Sequence, residues 1–577
     1  MSRIILNSLE IQAESGEPAL TERLCQWDKD NLGARIWQRD GTVWLKDPQL
    51  AESTPELSNR LGWLELPEIM STAVAELDEF VAEVIALDFT RVVVLGMGGS
   101  SLIAEVWDKI FGESEDFLPV TILDSTHPAA VARIAETGDL ETTLFLVSSK
   151  SGGTLETFSF FNYFYHQLSL LKENPGQNFI AITDPGSKLE TLALERGFRK
   201  TFSSPSEVGG RYSALTWFGL LPAALLGLSV RDLLLRARAM MAACAPGVRV
   251  ADNPALQLGA FLGEMERVGR DKLTLVLSPR LQPFAVWLEQ LIAESTGKKG
   301  CGLVPVIVDE DDVLPFLDKH KEPAKDRFYL FLRLRDDENS ALDSARARIQ
   351  ALAEPSALIT IGEPSDLAQE IWRFELATAA AGAVLGINPF DQPDVEAAKI
   401  GARQAMLSWQ ESGALPKLER LVDDVDIKIS GSQHFKGIND LKTGLKTFIE
   451  EAVPGDYIAL LVYLPQTRSL DMALQRVQKN LQHACRVPVM IGYGPRFLHS
   501  TGQLHKGDGN HGLFLQISCA SGWDLPLPGS DYSFATLIAA QAQGDYQALL
   551  KAGRRILALE LPTANINKVL QSLPDHE

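Results

Sequence analysis

Cysteine is scarce in this chain, and its placement excludes two common kinds of site. The 577 residues contain five cysteines, an odd number, at Cys25, Cys244, Cys301, Cys485 and Cys519. They lie far apart, and none belongs to a CxxC pair or to a Cys/His spacing typical of zinc ligands. We therefore expect reduced thiols, as in a cytosolic protein, rather than a disulfide framework or a metal site.

Long apolar runs and an excess of positive charge are also missing. No stretch is long enough to span a bilayer, and the N-terminal residues are acidic where a signal peptide needs a cationic start. The formal net charge of −21 argues against nucleic acid or an anionic membrane as the main partner. We predict a cytoplasmic protein, in which an anionic substrate would need a local pocket of cations or backbone amides.

Short apolar strands alternate with helical segments along most of the chain. The length of 577 residues suggests about two to four domains. Strand candidates in the first half are RVVVLGM, PVTILDST, TTLFLVSSK and NFIAITDPGS. Those between residues 272 and 363 are KLTLVLSP, LVPVIVDE, RFYLFLRL and ALITIGEP. Helical periodicity between them indicates βαβ units and parallel α/β sandwiches.

A third α/β segment closes the chain, with DYIALLVYLP, VPVMIGYG and GLFLQISCA after a linker-like stretch around SGSQHFKGIND. We predict an N-terminal extension over 1–60, a first sandwich over 61–245, a second over 246–405 and a C-terminal α/β domain over 406–577. Ligands of parallel sheets bind beyond the carboxyl ends of the strands, so functional loops are expected there.

One loop after a strand of the predicted first sandwich contains Gly98, Gly99 and Ser100. Glycines let the backbone approach a ligand closely, and the helix start that follows offers free amides. The signal is weak alone, because tight packing explains the same glycines. The loop also fails the dinucleotide-binding fingerprint, since no glycine lies three residues further on.

A second loop concentrates hydroxyl groups and a lysine at a strand-to-helix turn. Ser149, Lys150, Ser151 and Thr154 provide the short donors and the charge that a phosphate dianion needs. The alternative is an ordinary Ser/Thr helix cap, which would be the default for a single serine. The density of hydroxyls around one turn favours anion binding.

Polar residues in apolar surroundings are the candidates for chemistry. Arg211 is either a helix-start contact or a fixed charge facing a crevice. Glu294, with Gln290 one turn earlier, is either a general base or a solvated helix-end glutamate. Lys399 follows a Pro-rich turn and is either a site residue or a surface lysine. No Ser/His/Asp or Cys/His arrangement stands out, so nucleophilic hydrolysis has little support.

Five motifs occur in the order, and at roughly the spacing, found in phosphoglucose isomerases. They are GMGGSSL, SSKSGGTLET, VGGRYS, QLIAESTGK and NPFDQPDVEAAK, and they cover about residues 90–405. The family pattern reads GIGGS, SKTFTT-x-ET, GGRYS, ESNGK and FDQ-x-GVE-x-x-K. The chain therefore resembles this family, most specifically in FDQPDVEAAK and VGGRYS.

The resemblance implies a fold and an activity. The fold is α/β, with two sugar-isomerase (SIS) parallel-sheet sandwich domains, here followed by a C-terminal α/β domain, in a homodimer with sites near the interface. The activity is the interconversion of glucose 6-phosphate and fructose 6-phosphate in glycolysis and gluconeogenesis. A glutamate, an arginine and a lysine or histidine suffice for this chemistry, so we expect neither a metal nor an organic cofactor.

The resemblance also assigns roles to residues. Glu294 would move the proton between C2 and C1, Arg211 would stabilise the cis-enediolate, and Lys399 would assist ring opening. Gln290 and Gln392 would line the pocket beside the substrate. The substrate phosphate would be held by Gly98, Gly99, Ser100, Ser149, Lys150, Ser151 and Thr154.

The chain departs from the family pattern in three places. Ser151 and Gly153 stand where threonine is usual, and Asp394 replaces a glycine, which would be strained if a positive φ were required there. The GTNGQH motif, whose histidine assists ring opening, is missing. Between Glu294 and Phe390 the single histidine is His320, in an unrelated stretch.

A GQ-x-H string does occur later, with its histidine at His505. We hypothesise that the C-terminal domain returns His505 to the active site as the ring-opening residue. The alternative is that His499, His505 and His511 form a structural or interface loop.

Rival interpretations remain open at this point. An isomerase that also accepts mannose 6-phosphate would have the same motifs, and SIS domains also serve non-catalytic sugar-phosphate sensors. A transferase acting on amino sugars would want a cysteine at position 2, which is Ser2. The appended domain resembles the isomerase half of transaldolase–phosphoglucose isomerase fusions. No barrel with a Schiff-base lysine is apparent, so we predict no transaldolase activity.

Overall fold

The computed structural model describes residues 4–13, 17–308, 325–520 and 522–574, so His320 lies outside the described residues. The strands are β1 (Ser8–Gln12), β2 (Arg91–Gly96), β3 (Val120–Leu123), β4 (Thr143–Ser148), β5 (Phe179–Thr183), β6 (Lys200–Ser203), β7 (Lys272–Leu277), β8 (Val304–Val308), β9 (Arg327–Leu334), β10 (Ser356–Ile361), β11 (Val422–Asp423), β12 (Lys428–Gly431), β13 (Tyr457–Tyr463), β14 (Val489–Tyr493), β15 (Gly512–Cys519) and β16 (Arg555–Leu561).

The helices are α1 (Glu17–Lys29), α2 (Leu32–Trp37), α3 (Pro48–Glu52), α4 (Glu56–Asn59), α5 (Leu66–Ser71), α6 (Val74–Ile85), α7 (Leu102–Phe111), α8 (Pro128–Glu136), α9 (Leu155–Ser169), α10 (Lys188–Glu195), α11 (Trp217–Leu225), α12 (Val230–Ala243), α13 (Pro254–Arg267), α14 (Phe284–Thr296), α15 (Ser340–Ala351), α16 (Leu367–Leu385), α17 (Val395–Ser412), α18 (Leu441–Glu450), α19 (Arg468–Cys485), α20 (Gly502–Gly507), α21 (Phe534–Lys551) and α22 (Asn567–Ser572). No helix in these described ranges is long and apolar enough to cross a membrane.

The first sheet is parallel throughout, in the order β3-β2-β4-β5-β6. The four strands predicted in this part of the sequence are confirmed, and β6 joins them at the edge. Strand β2 lies between β3 and β4. The chain therefore runs from β2 to β3 on one side of it, and then crosses back to β4 on the other side. The loops after β2 and β4 therefore meet at a topological switch point, where open α/β sheets bind ligands.

The second sheet has the order β1-β10-β9-β7-β8. Its four parallel strands β7 to β10 are the ones predicted from the sequence. The additional strand β1 comes from the N-terminal residues and pairs with β10 in the antiparallel direction. Residues 8–12 thus form part of the second sandwich.

One continuous apolar core joins the first two sandwiches. Its tightest helix contact is between α13 and α16. A Cβ atom on Gly259 would lie 2.6 Å from the carbonyl oxygen of Ala377, and one on Gly263 would lie 2.5 Å from Val384 Cβ. Glycine at these two positions lets the two helices, both within the predicted second sandwich, approach each other closely.

The third sheet belongs to the C-terminal region and has the order β11-β12-β16-β15-β13-β14. The strands β13 to β16 are parallel, whereas β11 and β12 pair antiparallel at one edge. Strand β12 overlaps the start of the stretch predicted as a linker, at Ser430 and Gly431, so that this end of the stretch belongs to the sheet. The sheet carries buried apolar residues on both faces, as expected of strands covered by helices on each side.

Helix α17 runs through the predicted domain limit at residue 405 and packs along α21 of the C-terminal region. Here too glycines permit close approach, since a Cβ atom on Gly544 would lie 2.4 Å from the backbone nitrogen of Ala402. The helix that carries Lys399 is thus held directly by the C-terminal domain. The domain limits themselves stay a prediction.

Candidate active site

The two predicted phosphate loops lie side by side at the carboxyl ends of β2 and β4. Ser148 Oγ donates to the carbonyl oxygen of Ser100 at 2.6 Å. The hydroxyls of Ser149 and Thr154 are 2.9 Å apart. Thr154 occupies the N-cap position of α9 but makes no side-chain capping bond to any described residue. Thr154 is therefore not an ordinary helix cap. Ser151 is exposed at the tip of the turn.

Lys150 provides the positive charge beside this turn. Its Nζ donates to the carboxylate of Asp184 and to the carbonyl oxygen of Pro205, the latter at 3.2 Å. Burial lowers the pKa of Lys150 and raises that of Asp184. The lysine is thus partly buried and anchored, with its charge partly offset by one carboxylate.

Gly98 and Gly99 pack against two other parts of the site. Gly98 has a φ of +53°, and a Cβ atom on it would lie 2.7 Å from the carbonyl oxygen of His499 and 2.8 Å from Gln290 Nε2. A Cβ atom on Gly99 would lie 2.0 Å from the carbonyl oxygen of Gly210. Tight packing therefore explains both glycines, and this packing brings Gln290 and His499 against the first loop.

Arg211 connects the first sandwich to the second. Its Nε donates to Ser295 Oγ at 2.7 Å, and its Nη2 donates to the carbonyl oxygen of Pro389 at 2.6 Å. Its Nη1 donates to Gln392 Oε1 at 3.1 Å and lies 3.4 Å from Glu294 Oε1. The side chain is only 2% exposed, so the guanidinium is a fixed charge whose position is set from several sides.

Glu294 lies in the last turn of α14 with its carboxylate between two predicted site residues. Gln290 Nε2 donates to Glu294 Oε2 at 3.2 Å, on the side opposite Arg211. Gln290 also donates to the carbonyl oxygen of His499 at 2.7 Å. The carboxylate is buried, with a side-chain exposure of 11%, so the solvated helix-end alternative does not describe it.

The loop and helix that carry Gln392 and Lys399 complete this side of the site. Gln392 reaches Arg211, whereas Lys399 is exposed on the first turns of α17. Asp394 has a φ of −86°, so the glycine replacement causes no backbone strain. Lys298 Nζ donates to Asp391 Oδ1 at 2.8 Å, and burial lowers the pKa of Lys298 to about 8.

His505 lies apart from these groups, in a closely packed part of the C-terminal domain. Its ring is 5.2 Å from that of Phe514, 6.0 Å from Phe497 and 6.2 Å from Tyr457, measured between centroids. The residue is 1% exposed, and neither ring nitrogen has a hydrogen-bond partner among the described residues. Burial lowers the pKa of His505 well below its usual range. The structure does not bring His505 together with Glu294 or Arg211 through any described contact.

Three residues that the sequence interpretation did not assign to the site lie beside it. His499 Nε2 is 3.1 Å from Glu156 Oε1, and Gln541 Nε2 donates to the same oxygen at 2.7 Å. Burial raises the pKa of Glu156, but the charge and hydrogen bond of His499, with Lys399 further away, bring it below its usual value. His499 could have been predicted from its position a few residues after the end of β14, because ligands of parallel sheets bind beyond the carboxyl ends of the strands.

No group of three or more His, Cys, Asp or Glu side chains within the described ranges could hold a metal ion. The site is instead built from a hydroxyl-rich loop, a buried carboxylate beside a fixed guanidinium, and a histidine paired with a second carboxylate. These groups can hold a phosphate, move a proton between carbon atoms and exchange protons with hydroxyl groups.

Comparisons with known proteins agree with this arrangement. The family model for phosphoglucose isomerase matches residues 82–309. The chain is 31% identical over 433 residues to a glucose-6-phosphate isomerase of Thermosynechococcus vestitus, which covers 67% of this chain and 79% of that protein. It is 32% identical over 383 residues to that of Parabacteroides distasonis, with coverage of 59% and 85%.

Solved structures show the same fold. A hypothetical protein from Thermus thermophilus has 25% identity and a TM-score of 0.59, covering 69% of this chain and all of its own. A glucose-6-phosphate isomerase from Chlamydia trachomatis has 20% identity and a TM-score of 0.52, covering 59% of this chain and 74% of its own.

Two α/β sandwiches that share one core, with a hydroxyl-rich loop and a buried Glu–Arg pair between them, define a sugar-phosphate isomerase of the SIS class. The sequence identity and coverage then fix the particular family. The chain belongs to the phosphoglucose isomerase family.

Proposed function

We propose a mechanism for the reaction of this phosphoglucose isomerase, the interconversion of glucose 6-phosphate and fructose 6-phosphate. Glu294 is the base and Arg211 the group that stabilises the developing charge. The observation that carries the proposal is their contact of 3.4 Å in a buried place beside the phosphate loops. A carboxylate and a fixed cation at that distance are what proton transfer next to a carbonyl requires.

The substrate phosphate binds at the start of α9 and in the adjoining loops. Ser149, Ser151 and Thr154 provide hydroxyls, Lys150 provides charge, and the first amides of α9 provide further donors. Gly98, Gly99 and Ser100 form the other wall. The hydroxyl pair of Ser149 and Thr154, 2.9 Å apart and not used to cap the helix, supports this assignment.

The proton transfer occurs on the open-chain sugar. Glu294 removes the proton from C2 of the aldose, and the electron pair moves into the C1–C2 bond as the C1 carbonyl becomes an enediolate oxygen. Arg211 faces this negative charge. Glu294 then returns the proton to C1. The proton of the O2 hydroxyl passes to O1, which leaves a carbonyl at C2 and a hydroxyl at C1, and the carboxylate ends as it began.

Gln290 and Gln392 orient the two catalytic groups rather than exchange protons. Gln290 donates to Glu294, and Gln392 accepts from Arg211. For ring opening, Lys399 and His505 stay predictions. Lys399 lies near enough to Glu156 for its charge to lower the pKa of that carboxyl, which supports a place beside the substrate. The burial of His505 does not support a place beside the substrate for that residue.

A cytoplasmic homodimer is part of the same proposal. Ile400 and Leu407 are 46% and 57% exposed on α17, two turns apart on one face of the helix that carries Lys399. Two exposed apolar side chains, with the exposed Arg403 and Gln404 on the turn between them, suit contact with a second copy of the chain. Sedimentation measures the mass of the protein and of Leu407→Lys in solution. We expect a dimer for the protein and a weaker dimer for the variant, and a monomeric mass for both would contradict the proposal.

The function is tested by an enzyme assay of fructose 6-phosphate conversion, coupled to detection of glucose 6-phosphate. The protein should be active, and Glu294→Gln should lose at least about 10³-fold in kcat because the amide cannot accept the proton. Glu411→Gln, an exposed glutamate near the end of α17, is the matched control and should be unaffected. An active Glu294→Gln variant would refute the proposal.

A further inference from the structure

A large cavity in the C-terminal domain lies apart from the groups of the candidate active site. Its volume is about 660 Å³, within the range of about 300–1,000 Å³ that is typical of small-molecule sites. Within the described ranges, none of the residues with a proposed catalytic or phosphate-binding role lines this cavity. The isomerase reaction as proposed therefore makes no use of it.

The cavity lies at the carboxyl ends of the parallel strands of the third sheet. Tyr463, Ser518 and Glu560, at or next to the last residues of β13, β15 and β16, all line it. The chain runs from β13 to β14 on one side of β13 and then crosses back to β15 on the other side. The crevice between β13 and β15 is therefore a topological switch point, where open α/β sheets bind nucleotides and other ligands.

Much of the cavity wall is apolar. Helix α21 contributes Ile538 and Ala539, and the segment that follows α17 contributes Leu415. Gln543 of α21 donates to the carbonyl oxygen of Pro416 in that segment at 2.7 Å, so the segment is held against the helix. Walls of this kind suit a flat, apolar ring.

Positive charge collects on the same cavity. Lys417, Arg420 and Lys428 line it together with the two carboxylates of Asp423 and Glu560. Arg420 and Lys428 share Glu560, with Lys428 Nζ donating to Glu560 Oε1 at 2.9 Å. Lys417 is exposed and pairs with no carboxylate of the described residues. Three cations against two carboxylates leave one positive charge here, in a chain whose net charge is −21.

The neutral polar side chains of the cavity already have partners within the protein. Gln516 donates to the carbonyl oxygen of Ala542 at 3.1 Å, and Ser518 donates to that of Leu559 at 3.4 Å. His127 also lines the cavity, and burial lowers its pKa to about 4, so that it is uncharged at pH 7. The three cations are therefore the strongest donors left for a ligand, and they favour an anion.

We propose that this cavity is a second ligand site, which binds a nucleotide. The base lies against α21 and the segment after α17, and the phosphate lies at Lys417, Arg420 and Lys428. The class of ligand follows from the two kinds of lining, because the apolar walls suit a base and the cations suit a phosphate. No glycine lines the cavity within the described ranges, so side-chain cations rather than backbone amides meet the phosphate.

Isothermal titration calorimetry of the full-length protein with AMP and with ATP tests the proposal. Every titration contains a saturating equilibrium mixture of glucose 6-phosphate and fructose 6-phosphate, which keeps the active site filled. We expect saturable binding of one nucleotide per chain. Adenosine lacks the phosphate and ribose 5-phosphate lacks the base, so each should bind at least about 10-fold more weakly than AMP.

Two variants locate the bound nucleotide. Lys417→Glu should weaken AMP binding by at least about 10-fold, because it replaces a cation at the phosphate by an anion. Lys446→Glu, which makes the same charge change at an exposed lysine on α18, is the matched control and should bind AMP normally. Ala539→Trp fills the apolar part of the cavity and should abolish binding. Circular dichroism checks that each variant is folded.

Three results would overturn the proposal. The first is the absence of saturable binding for both AMP and ATP. The second is an affinity for ribose 5-phosphate equal to that for AMP, because the cavity would then have no place for a base. The third is normal AMP binding in folded Lys417→Glu and Ala539→Trp, which would place the nucleotide elsewhere. None of these results depends on isomerase activity, so failure of the proposed function is a separate outcome.

Discussion

Two adjacent parts of one connection, the turn Arg496–His499 and helix α20, each carry a histidine in opposite surroundings. The turn lies between charged groups and faces the site, with His499 beside Glu156. Helix α20 is buried, with His505 among three aromatic rings and Lys506 paired with Asp545. Exposure and a charged partner, rather than the residue type, separate a histidine that can exchange protons from one that fills a core.

The largest effect expected from this comparison concerns the stability of α20. Lys506 and Asp545 form a buried ion pair at 2.6 Å, with side-chain exposures of 3% and 0%. Lys506→Met leaves Asp545 buried without its cation and should lower the free energy of unfolding by about 3–5 kcal/mol. Denaturant unfolding measures it, while kcat of the folded fraction should not change. A stable but inactive variant would show that α20 takes part in catalysis.

Substitution at Gly98 should act on the turn instead. Gly98→Ala requires a left-handed φ of +53° and places a methyl group 2.7 Å from the carbonyl oxygen of His499. Displacement of His499 and Gln290 should lower kcat/KM by about 10²-fold, because small misplacements of catalytic groups have effects of this size. Steady-state kinetics, with circular dichroism as the folding control, checks it. Full activity would mean that the close contact does not position the turn.

A buried carboxyl group near the turn, that of Glu289, predicts that the stability of the protein depends on pH. Burial raises the pKa of Glu289 to about 7, although Arg496 acts in the opposite direction. An acid with a raised pKa in the folded state is protonated there and ionised in the unfolded chain between about pH 4.3 and 7. Stability should therefore fall as pH rises through this window, by up to about 3–4 kcal/mol from this group.

Glu289→Gln removes that contribution. Melting temperatures of the protein and the variant, measured at pH 5 and pH 8, should show a smaller decrease in the variant. The same decrease in both would mean that Glu289 is not buried in the folded state. Arg496→Lys is a useful comparison, because it keeps the charge beside Glu289 while changing the contacts to Glu105 and Asp124.

The smallest effect is expected at Gln541. Gln541→Met keeps the volume but removes the donor to Glu156 Oε1. We expect kcat to fall by about 10-fold with KM unchanged. In Gln541→Glu, kcat should fall further, because a second carboxylate would face Glu156. Gln543→Met, which loses only a bond to the carbonyl oxygen of Pro416, is the matched control on the same helix. Equal losses of kcat in Gln541→Met and Gln543→Met would mean that the hydrogen bond from Gln541 to Glu156 has no special role in catalysis.

Much of the fold could be predicted from local sequence. Apolar β-branched runs identified β2, β4 and β5 of the first sheet and β7 to β10 of the second, because strands buried on both faces are apolar along their whole length. Strands β1, β6, β11, β12 and β16 were not predicted. The first four lie at or near sheet edges, where a short segment is chosen by its neighbours rather than by its own composition. Strand β16 lies inside the third sheet, between β12 and β15, and its apolar run RILALEL was missed.

The candidate site could be predicted only where its motifs are continuous in sequence. Glu294, Gln290 and Arg211 lie in such motifs and meet in the structure. The histidine could not be found in this way. The GQ-x-H string directed attention to His505, but the burial of that residue depends on packing against Tyr457 and Phe514 from other strands.

The central claim, proton transfer by Glu294, is tested most directly by running the reaction in deuterium oxide and following the products by NMR. Solvent deuterium should appear at C2 of glucose 6-phosphate formed from fructose 6-phosphate, and Glu294→Gln should abolish both isomerisation and deuterium incorporation. Incorporation at an undiminished rate in Glu294→Gln would contradict the account, because another group would then be moving the proton.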